Sequence, residues 1–386
     1  MSVLYRKYRP KTFSEIVGQE NVVKTLTNAI SMEMVSHAYL FYGPRGTGKT
    51  TVARLLAKAV NCTGRRQITN KKQPALPSGG QPTEYEPCNK CISCIEINEG
   101  RAIDLIEVDA ASNRGIDEMR NLREGVGIVP TKSKYKIYVI DEAHQLTKEA
   151  SNAILKTLEE PPAHAIFILC TTEFSKILPT ISSRCQRFEF KKLNLGQIIK
   201  RLEIISNKEK VDIEKEGLIL IARTAEGSVR DAESLLDEVI ITSSKRRREL
   251  IKKEDIEEIL GIVGTELVSR FVEFLIKKDE KEALKYLSQT FNRGIDIENF
   301  SKKLSAYLRD LLLMKINPQI FKEKIVFTKE EEENLKRQGK QFSQENLKEI
   351  MRIFLEAHNQ IKWSDLPQLP LELAVIDSIK KVTNDK

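Results

Sequence analysis

Four short apolar runs punctuate the first half of the chain: "AYLFYG" at 38–43, "DLIEVDA" at 104–110, "KIYVIDEA" at 136–143 and "AIFILCTT" at 165–172. A weaker one, "QRFEF", follows at 186–190. The runs lack strict apolar–polar alternation, which predicts strands of a parallel sheet covered on both faces. Between them apolar residues recur at spacings of three and four. Val52, Leu55, Leu56 and Ala59 do so after Lys49. Ile154, Leu155 and Leu158 do so ahead of Pro161-Pro162, which ends the helix they predict. Strands alternating with helices predict a wound α/β domain over residues 1–194.

Beyond Asn194 the pattern predicts helices and no strand. "GLILIARTAEGSVRDAESLLDEVI" reads as two helices around Gly227. After Gly261 three apolar stripes follow: Leu267, Phe271, Phe274 and Leu275; Leu304, Leu308, Leu311 and Leu312; Leu347, Ile350, Phe354 and Leu355. Such stripes are the packing faces of helices. The basic cluster "KRRREL" at 245–250 reads as a surface feature near a boundary, and "VFTKEEEENLKRQGKQF" as an exposed segment. Residues 64–87, rich in Gly, Pro and Ser, read as a loop.

A chain of 386 residues has room for two or three domains at roughly 150 residues each. Its longest apolar run, "AIFILC", is far short of the roughly 20 residues of a spanning helix. The N-terminus carries basic residues but no apolar core of a secretory signal. A soluble, cytoplasmic protein with no membrane partner is expected. Lys and Arg outnumber Asp and Glu by 63 to 55, a net charge of +8. That surplus permits contact with a polyanion and equally suits a solvated surface.

"GPRGTGKT" at 43–50 fits G-x-x-x-x-G-K-T without deviation, with a strand before it and an amphipathic helix after. In this motif Gly43, Pro44, Arg45, Gly46, Thr47 and Gly48 turn backbone N–H groups toward a polyphosphate. Lys49 sets a charge on its β and γ oxygens, and Thr50 offers a hydroxyl to Mg²⁺. "IYVIDEAH" supplies the partner at a strand end: Asp141 for Mg²⁺ and Glu142 for the attacking water. His144 is given no role. Thr172, at the end of another run, can hydrogen-bond a γ-phosphate or simply suit a strand. Arg230 can reach a phosphate from a second domain, or pair with Asp231 or Glu233. Arg184, between Ser183 and Cys185, has no evident local partner; it is a solvated charge or it acts on another chain's chemistry.

Six cysteines in a reducing compartment read as metal ligands or core residues. Cys88, Cys91 and Cys94 form C-x₂-C-x₂-C, and Cys62 lies upstream at the end of the predicted helix. Four thiolates suit tetrahedral Zn²⁺ in a closed, structural site. Cys170 and Cys185 sit in or beside apolar runs and read as core.

Together these residues resemble the gamma/tau subunits of bacterial DNA polymerase III, the ATPases of the sliding-clamp loader. The resemblance begins at "YRKYRPKTFSEIVGQENVVKTL" and runs through "HAYLFYGPRGTGKTTVARLLAKAVNC", the Cys triplet and "VDAASNRGIDEMRNL". It continues in "YKIYVIDEAHQLTKEASNAILKTLEEPP", "TTEFSKILPTISSRC" and "GSVRDAESLLDE". It implies an AAA+ module over 1–194 with an inserted zinc-binding module at about 62–94, a helical lid over 195–261 and a helical collar over 262–386. Tyr5, Arg9, Pro10, Val17 and Gly18 would surround the adenine of ATP. Thr172 and Arg230 would be the phosphate sensors, and Arg184 an arginine finger for the neighbouring subunit. Implied partners are other clamp-loader subunits in a hetero-oligomer, the sliding clamp and the backbone of primer–template DNA.

The Cys-containing insertion is longer than the family's usual spacing. The chain ends at Lys386, soon after the expected collar, so coupling to helicase and polymerase is not inferred. The family is often classed with DNA-directed DNA polymerases, yet no acidic constellation for nucleotidyl transfer is evident. Other readings are a nucleotide-binding scaffold without turnover and a branch-migration helicase. Intact Lys49, Thr50, Asp141 and Glu142 favour turnover over the first, and the Cys triplet is unexplained by the second.

Overall fold

The computed structural model describes residues 3–64, 66–67, 85–112, 122, 124–245, 250–317 and 329–384. Most of the loop expected at 64–87, the 113–121 stretch, the basic cluster at 246–249 and the first residues, 326–328, of the segment read as exposed lie outside the described residues. The chain divides into two compact units, Met1–Lys253 and Glu254–Lys386.

The first unit is built on a five-stranded sheet: β1 (Ala38–Tyr42), β2 (Leu105–Asp109), β3 (Lys136–Asp141), β4 (Ala165–Thr171) and β5 (Gln186–Glu189). Every pairing is parallel, in the order β2-β3-β4-β1-β5. The expected strands are therefore present. Burial on both faces holds for β4 throughout and for most of β1 and β3. It fails at the edges, where β2 exposes Glu107 and Asp109 and β5 buries only Phe188. At the margins of a sheet the covering helices reach less far over its faces, so side chains there remain accessible.

Successive side chains of the inner strands feed opposite cores. Phe41, Val139 and Ile168 pack with Val52, Leu55 and Leu56 of α3 (Lys49–Asn61) and with Leu26 of α2 (Glu20–Ser31). Leu40, Ile140 and Leu169 pack on the other side with Ile154 and Leu158 of α5 (Lys148–Glu159). Thr147 caps α5 by accepting the Ala150 N–H, and the helix stops just before Pro161. The single turn α1 (Leu4–Lys7) precedes α2, and α4 (Ile92–Glu99) follows the Cys triplet.

Asp104 fixes the approach to β2. Its carboxylate is buried and accepts N–H groups of Thr131, Lys132 and Ser133 at 2.8–3.0 Å. Burial pushes this carboxyl up, and the three N–H donors more than offset it, leaving its pKa below the ordinary value. The lowered value means that this stability is fully present above the unfolded-state pKa. It is lost as pH falls through the folded-state pKa. Asp104→Ala is expected to cost about 1–3 kcal/mol at neutral pH. Urea unfolding checks this: the gap to wild type should close at strongly acidic pH, and an equal gap at both would contradict it.

Three helices follow the sheet: α6 (Leu195–Glu209), α7 (Lys215–Thr224) and α8 (Val229–Lys245). Asn194 and Gln197 close a capping box at the start of α6. The expectation of no strand here needs correction, because Asp212–Ile213 and Leu250–Ile251 form a short parallel ladder. Two-residue strands are too brief to show a period.

The second unit is helical: α9 (Lys253–Leu260), α10 (Thr265–Lys277), α11 (Glu280–Asn292), α12 (Ile297–Ile316), α13 (Lys329–Gln341), α14 (Gln344–Ile361) and α15 (Leu369–Asn384). Phe271, Phe300 and Phe354 meet edge-on at its centre. The three stripes hold, except that Leu355 faces solvent while Leu267, Phe274 and Leu312 are half-buried. A buried network joins Tyr307, Gln338 and Ser269 across α12, α13 and α10. Among the described residues no helix is long and apolar enough to cross a membrane.

Candidate functional site

The 43–50 loop joins β1 to α3. Gly48 lies at φ 99°, in the left-handed region, immediately before the helix. Gly46 is also left-handed, at φ 73°. A Cβ there would stand 1.9 Å from Ser228 Oγ, and Gly46 O accepts the Val229 N–H at 3.1 Å. The loop is thus pressed against the start of α8. Gly46→Ala should cost about 1–3 kcal/mol from overpacking. It should also displace Arg230 and weaken nucleotide binding. Urea unfolding and a nucleotide titration check both effects; an unchanged protein would show that this contact is not made.

Lys49 is buried, and its ammonium donates to the carbonyls of Gly43 and Pro44 at 2.7 and 2.8 Å. Burial pushes its pKa down, against the pull of Glu142, Cys170 and Asp141. Thr47 Oγ1 donates to Pro44 O. Thr50 Oγ1 donates to Asp141 Oδ2 at 2.8 Å, bringing the two candidate Mg²⁺ groups together from α3 and the end of β3. A hydroxyl beside a carboxylate is a donor set suited to a hydrated Mg²⁺.

Glu142 follows at φ 48°, ψ 44°. A non-glycine residue held there stores roughly 1–3 kcal/mol, offset by its surroundings. Asp141 Oδ1 accepts its N–H, and Glu142 Oε2 accepts the Oγ–H and N–H of Thr172 at 3.0 and 3.3 Å. Thr172 thus holds the carboxylate expected to orient water. His144, given no role from sequence, is nearly enclosed, with Nδ1 3.0 Å from Thr171 Oγ1 and Nε2 3.3 Å from Glu173 Oε1. It braces the segment that carries Glu142 and Thr172.

Lys49, Thr50, Asp141 and Glu142 border a cavity of about 630 Å³. Arg45 to Thr50, Asp141, Glu142 and Arg230 line it, as do Tyr5, Arg9, Pro10 and Val17. Gly18, Gly43, Pro44, Thr172 and Arg184 are outside the lining. Gly18 sits at φ 75°, where a Cβ would meet Leu193 Cγ at 2.9 Å, so the turn and its packing require glycine. Arg9 reaches Thr51 Oγ1 and is largely buried. That burial, with repulsion from Arg54, lowers its pKa to about 10.

Arg230 did not take either partner considered for it among Asp231 and Glu233. Its guanidinium lies 4.9 Å from the centre of the Tyr5 ring. Glu233 instead accepts from Arg201 Nε at 2.8 Å, and both side chains are buried against the cavity. Burial raises the Glu233 pKa, with Arg201 opposing. Arg201 also donates to Tyr8 O, tying α6 and α8 to the N-terminal segment. The pair was missed in the sequence, although Arg201 shares a helix face with Ile198, Leu202 and Ile205. A charge inside an apolar stripe signals a buried partner.

Arg184 has local partners after all. It donates to Thr180 O at 2.8 Å and to Glu159 Oε1 at 2.6 Å, and it is partly exposed. The Glu159 bond crosses 25 residues to the end of α5, which is why local sequence did not show it.

Cys62, Cys88, Cys91 and Cys94 bring their sulfurs within 4.8 Å of one another. The Cys91 and Cys62 sulfurs are 3.9 Å apart. Tetrahedral Zn–S bonds of about 2.3 Å would put sulfurs about 3.8 Å apart, so the four fit a zinc ion. Burial raises the Cys62 and Cys94 thiols. For Cys91, burial is outweighed by N–H groups of Cys94 and Thr63 and by neighbouring thiols, leaving about 6. Cys170 and Cys185 are buried in the sheet's cores, as expected.

Family profiles match in three stretches. Residues 18–194 match the profile described as DNA polymerase III, delta subunit. Residues 197–245 match the ATPase lid domain of the DNA polymerase III clamp loader subunit, and residues 251–383 match domain III of subunits gamma and tau. The Bacillus subtilis DNA polymerase III subunit tau is 40% identical over 97% of this chain and 62% of its own length. The Escherichia coli subunit tau is 38% identical over 82% of this chain and 46% of its own length. The chain therefore spans about half to three-fifths of these two relatives. The subunit gamma of Buchnera aphidicola from Schizaphis graminum is 33% identical over 98% of both chains. With a parallel-sheet AAA+ module, a matching lid and near-complete coverage of a gamma subunit, the chain belongs to the gamma/tau subunit family of bacterial DNA polymerase III.

Proposed function

We propose that this chain is the ATP-hydrolysing motor of a clamp loader, opening a sliding clamp and setting it on primed DNA. The observation that carries the reading is the Thr50–Asp141 bond, at a cavity that Lys49, Glu142 and Arg230 also line. The 43–48 backbone and the buried Lys49 would hold the polyphosphate, while Tyr5, Arg9, Pro10 and Val17 would wall the base. Mg²⁺, held by Thr50 and Asp141, would neutralise charge on the phosphates. Glu142, steadied by Thr172, would orient water and accept its proton.

Arg230 would sense the γ-phosphate from the lid, linking nucleotide state to lid position. Thr172 would sense it through Glu142. In this reading residues 1–194 form the AAA+ module, 195–261 its lid and 262–386 the collar that joins other subunits. Arg184 would serve a neighbouring subunit's site, exchanging its Glu159 contact for a phosphate. Zn²⁺ on the four cysteines would be structural. Contact with DNA would be to phosphates, hence salt-dependent and indifferent to sequence.

The test is ATP turnover by the reconstituted assembly with clamp and primed DNA. Stimulation by both supports the motor. A rate that stays flat supports the alternative, a nucleotide-holding scaffold.

A further inference from the structure

The wall of the cavity nearest the N-terminus has little structure of its own. Beyond α1 it is a short extended stretch and one turn of 3₁₀ helix at Phe13–Glu15. Arg9, Pro10, Lys11 and Val17 from this stretch line the cavity. Phe13 and Ile16 anchor it in the core with α2 and α3. Two groups beside Cys88 tie its backbone. Glu86, buried, accepts the N–H groups of Phe13 and Ser14 at 2.7 and 2.8 Å, one on each carboxylate oxygen. Asn89 Nδ2 donates to Lys11 O at 3.1 Å. Lys58, a buried lysine of α3, completes the joint by donating to Lys11 O, Asn89 Oδ1 and Asn98 Oδ1.

The backbone that carries Asn89 is in turn wrapped around sulfur. Cys88 N–H points at Cys62 Sγ at 3.3 Å, and the N–H groups of Lys90 and Cys91 point at Cys88 Sγ at 3.4 and 3.2 Å. Asn89 sits at φ 56°, a left-handed position that this wrapping must maintain. We propose that the four-cysteine module is a clasp for the N-terminal wall, so that Zn²⁺ on the four thiols strengthens nucleotide binding without touching the nucleotide. The inference rests on the nucleotide reading of the cavity. Residues 7–9 have separate anchors, through Glu209, Arg201 and Thr51. The clasp therefore acts on residues 11–14.

Two sites coupled in this way obey reciprocity: metal and nucleotide change each other's affinity by the same factor. The experiment measures nucleotide Kd in zinc-loaded and chelator-stripped chain, and zinc affinity with and without a non-hydrolysable ATP analogue. The expected factor is at least about fivefold and equal in both directions. Amide exchange at Phe13 and Ser14 should rise on stripping, while α3 stays protected. Glu86→Gln spares all four thiols but sets an NH₂ against one of the two backbone donors. It should bind zinc as wild type does, speed exchange at Phe13 and Ser14, and lose most of the coupling. This variant also decides the matter if the stripped chain unfolds. Unchanged nucleotide Kd in the stripped chain would overturn the proposal, as would full coupling in Glu86→Gln. A zinc-loaded wild type that binds no nucleotide would instead defeat the functional reading, leaving amide exchange as a separate measure of the clasp.

Discussion

Glu142→Gln is expected to lower ATP turnover by about 10²–10⁴-fold while leaving nucleotide affinity intact. The amide is nearly the same size as the carboxylate and keeps one oxygen to accept from Thr172. It loses the ability to take a proton from water. Lys49→Ala should instead weaken nucleotide affinity, because in the proposed reading its ammonium would meet the polyphosphate, leaving the carbonyls of Gly43 and Pro44 that it now bonds. Phosphate release and a titration with a fluorescent ATP analogue separate the two classes. If Glu142→Gln turns over at the wild-type rate, the base lies elsewhere and the left-handed backbone at Glu142 has a purely structural cause.

The second large effect is expected at Arg184. In the assembled complex, Arg184→Ala should reduce turnover by about 10³–10⁵-fold, the worth of an arginine supplied to a phosphate in trans. Nucleotide affinity of the isolated chain should not change, since Arg184 lies outside that chain's cavity lining. The competing role is visible in the structure: Arg184 ties Thr180 to Glu159. That exposed pair is worth roughly 0–1 kcal/mol. Glu159→Ala removes the pair but keeps the guanidinium. A turnover loss shared equally by both variants would point to bracing of α5; a loss confined to Arg184→Ala would point to the neighbouring site.

Much of this was legible because its signals are local. The 43–50 loop, the acidic end of β3 and the Cys triplet each declare their chemistry within a few residues. The inner strands were equally plain, since burial on both faces confines their charged positions to the ends and leaves a nearly continuous apolar run between. Edge strand β2 read like them in sequence, but Glu107 and Asp109 are exposed, and Glu107 meets Arg54 of α3 rather than an apolar core. The features that escaped are pairings between distant segments. Arg201 with Glu233, Lys58 with Asn89 and Asn98, and Arg184 with Glu159 span 32, 31, 40 and 25 residues. Only folding brings them together. Leu355 shows the opposite error: it extends an apolar stripe in sequence, yet one step around α14 from Phe354 carries it into solvent.

The central claim is that the cavity beside the 43–50 loop holds ATP with Mg²⁺. Calorimetric titration of the purified chain with Mg·ATP tests it most directly, set beside Lys49→Ala. Wild type should give a single-site isotherm. The variant should lose at least about tenfold in affinity, the equivalent of 1.4 kcal/mol, while remaining folded at the titration temperature with its zinc content unchanged. Equal binding by the two proteins, or none by either, would contradict it.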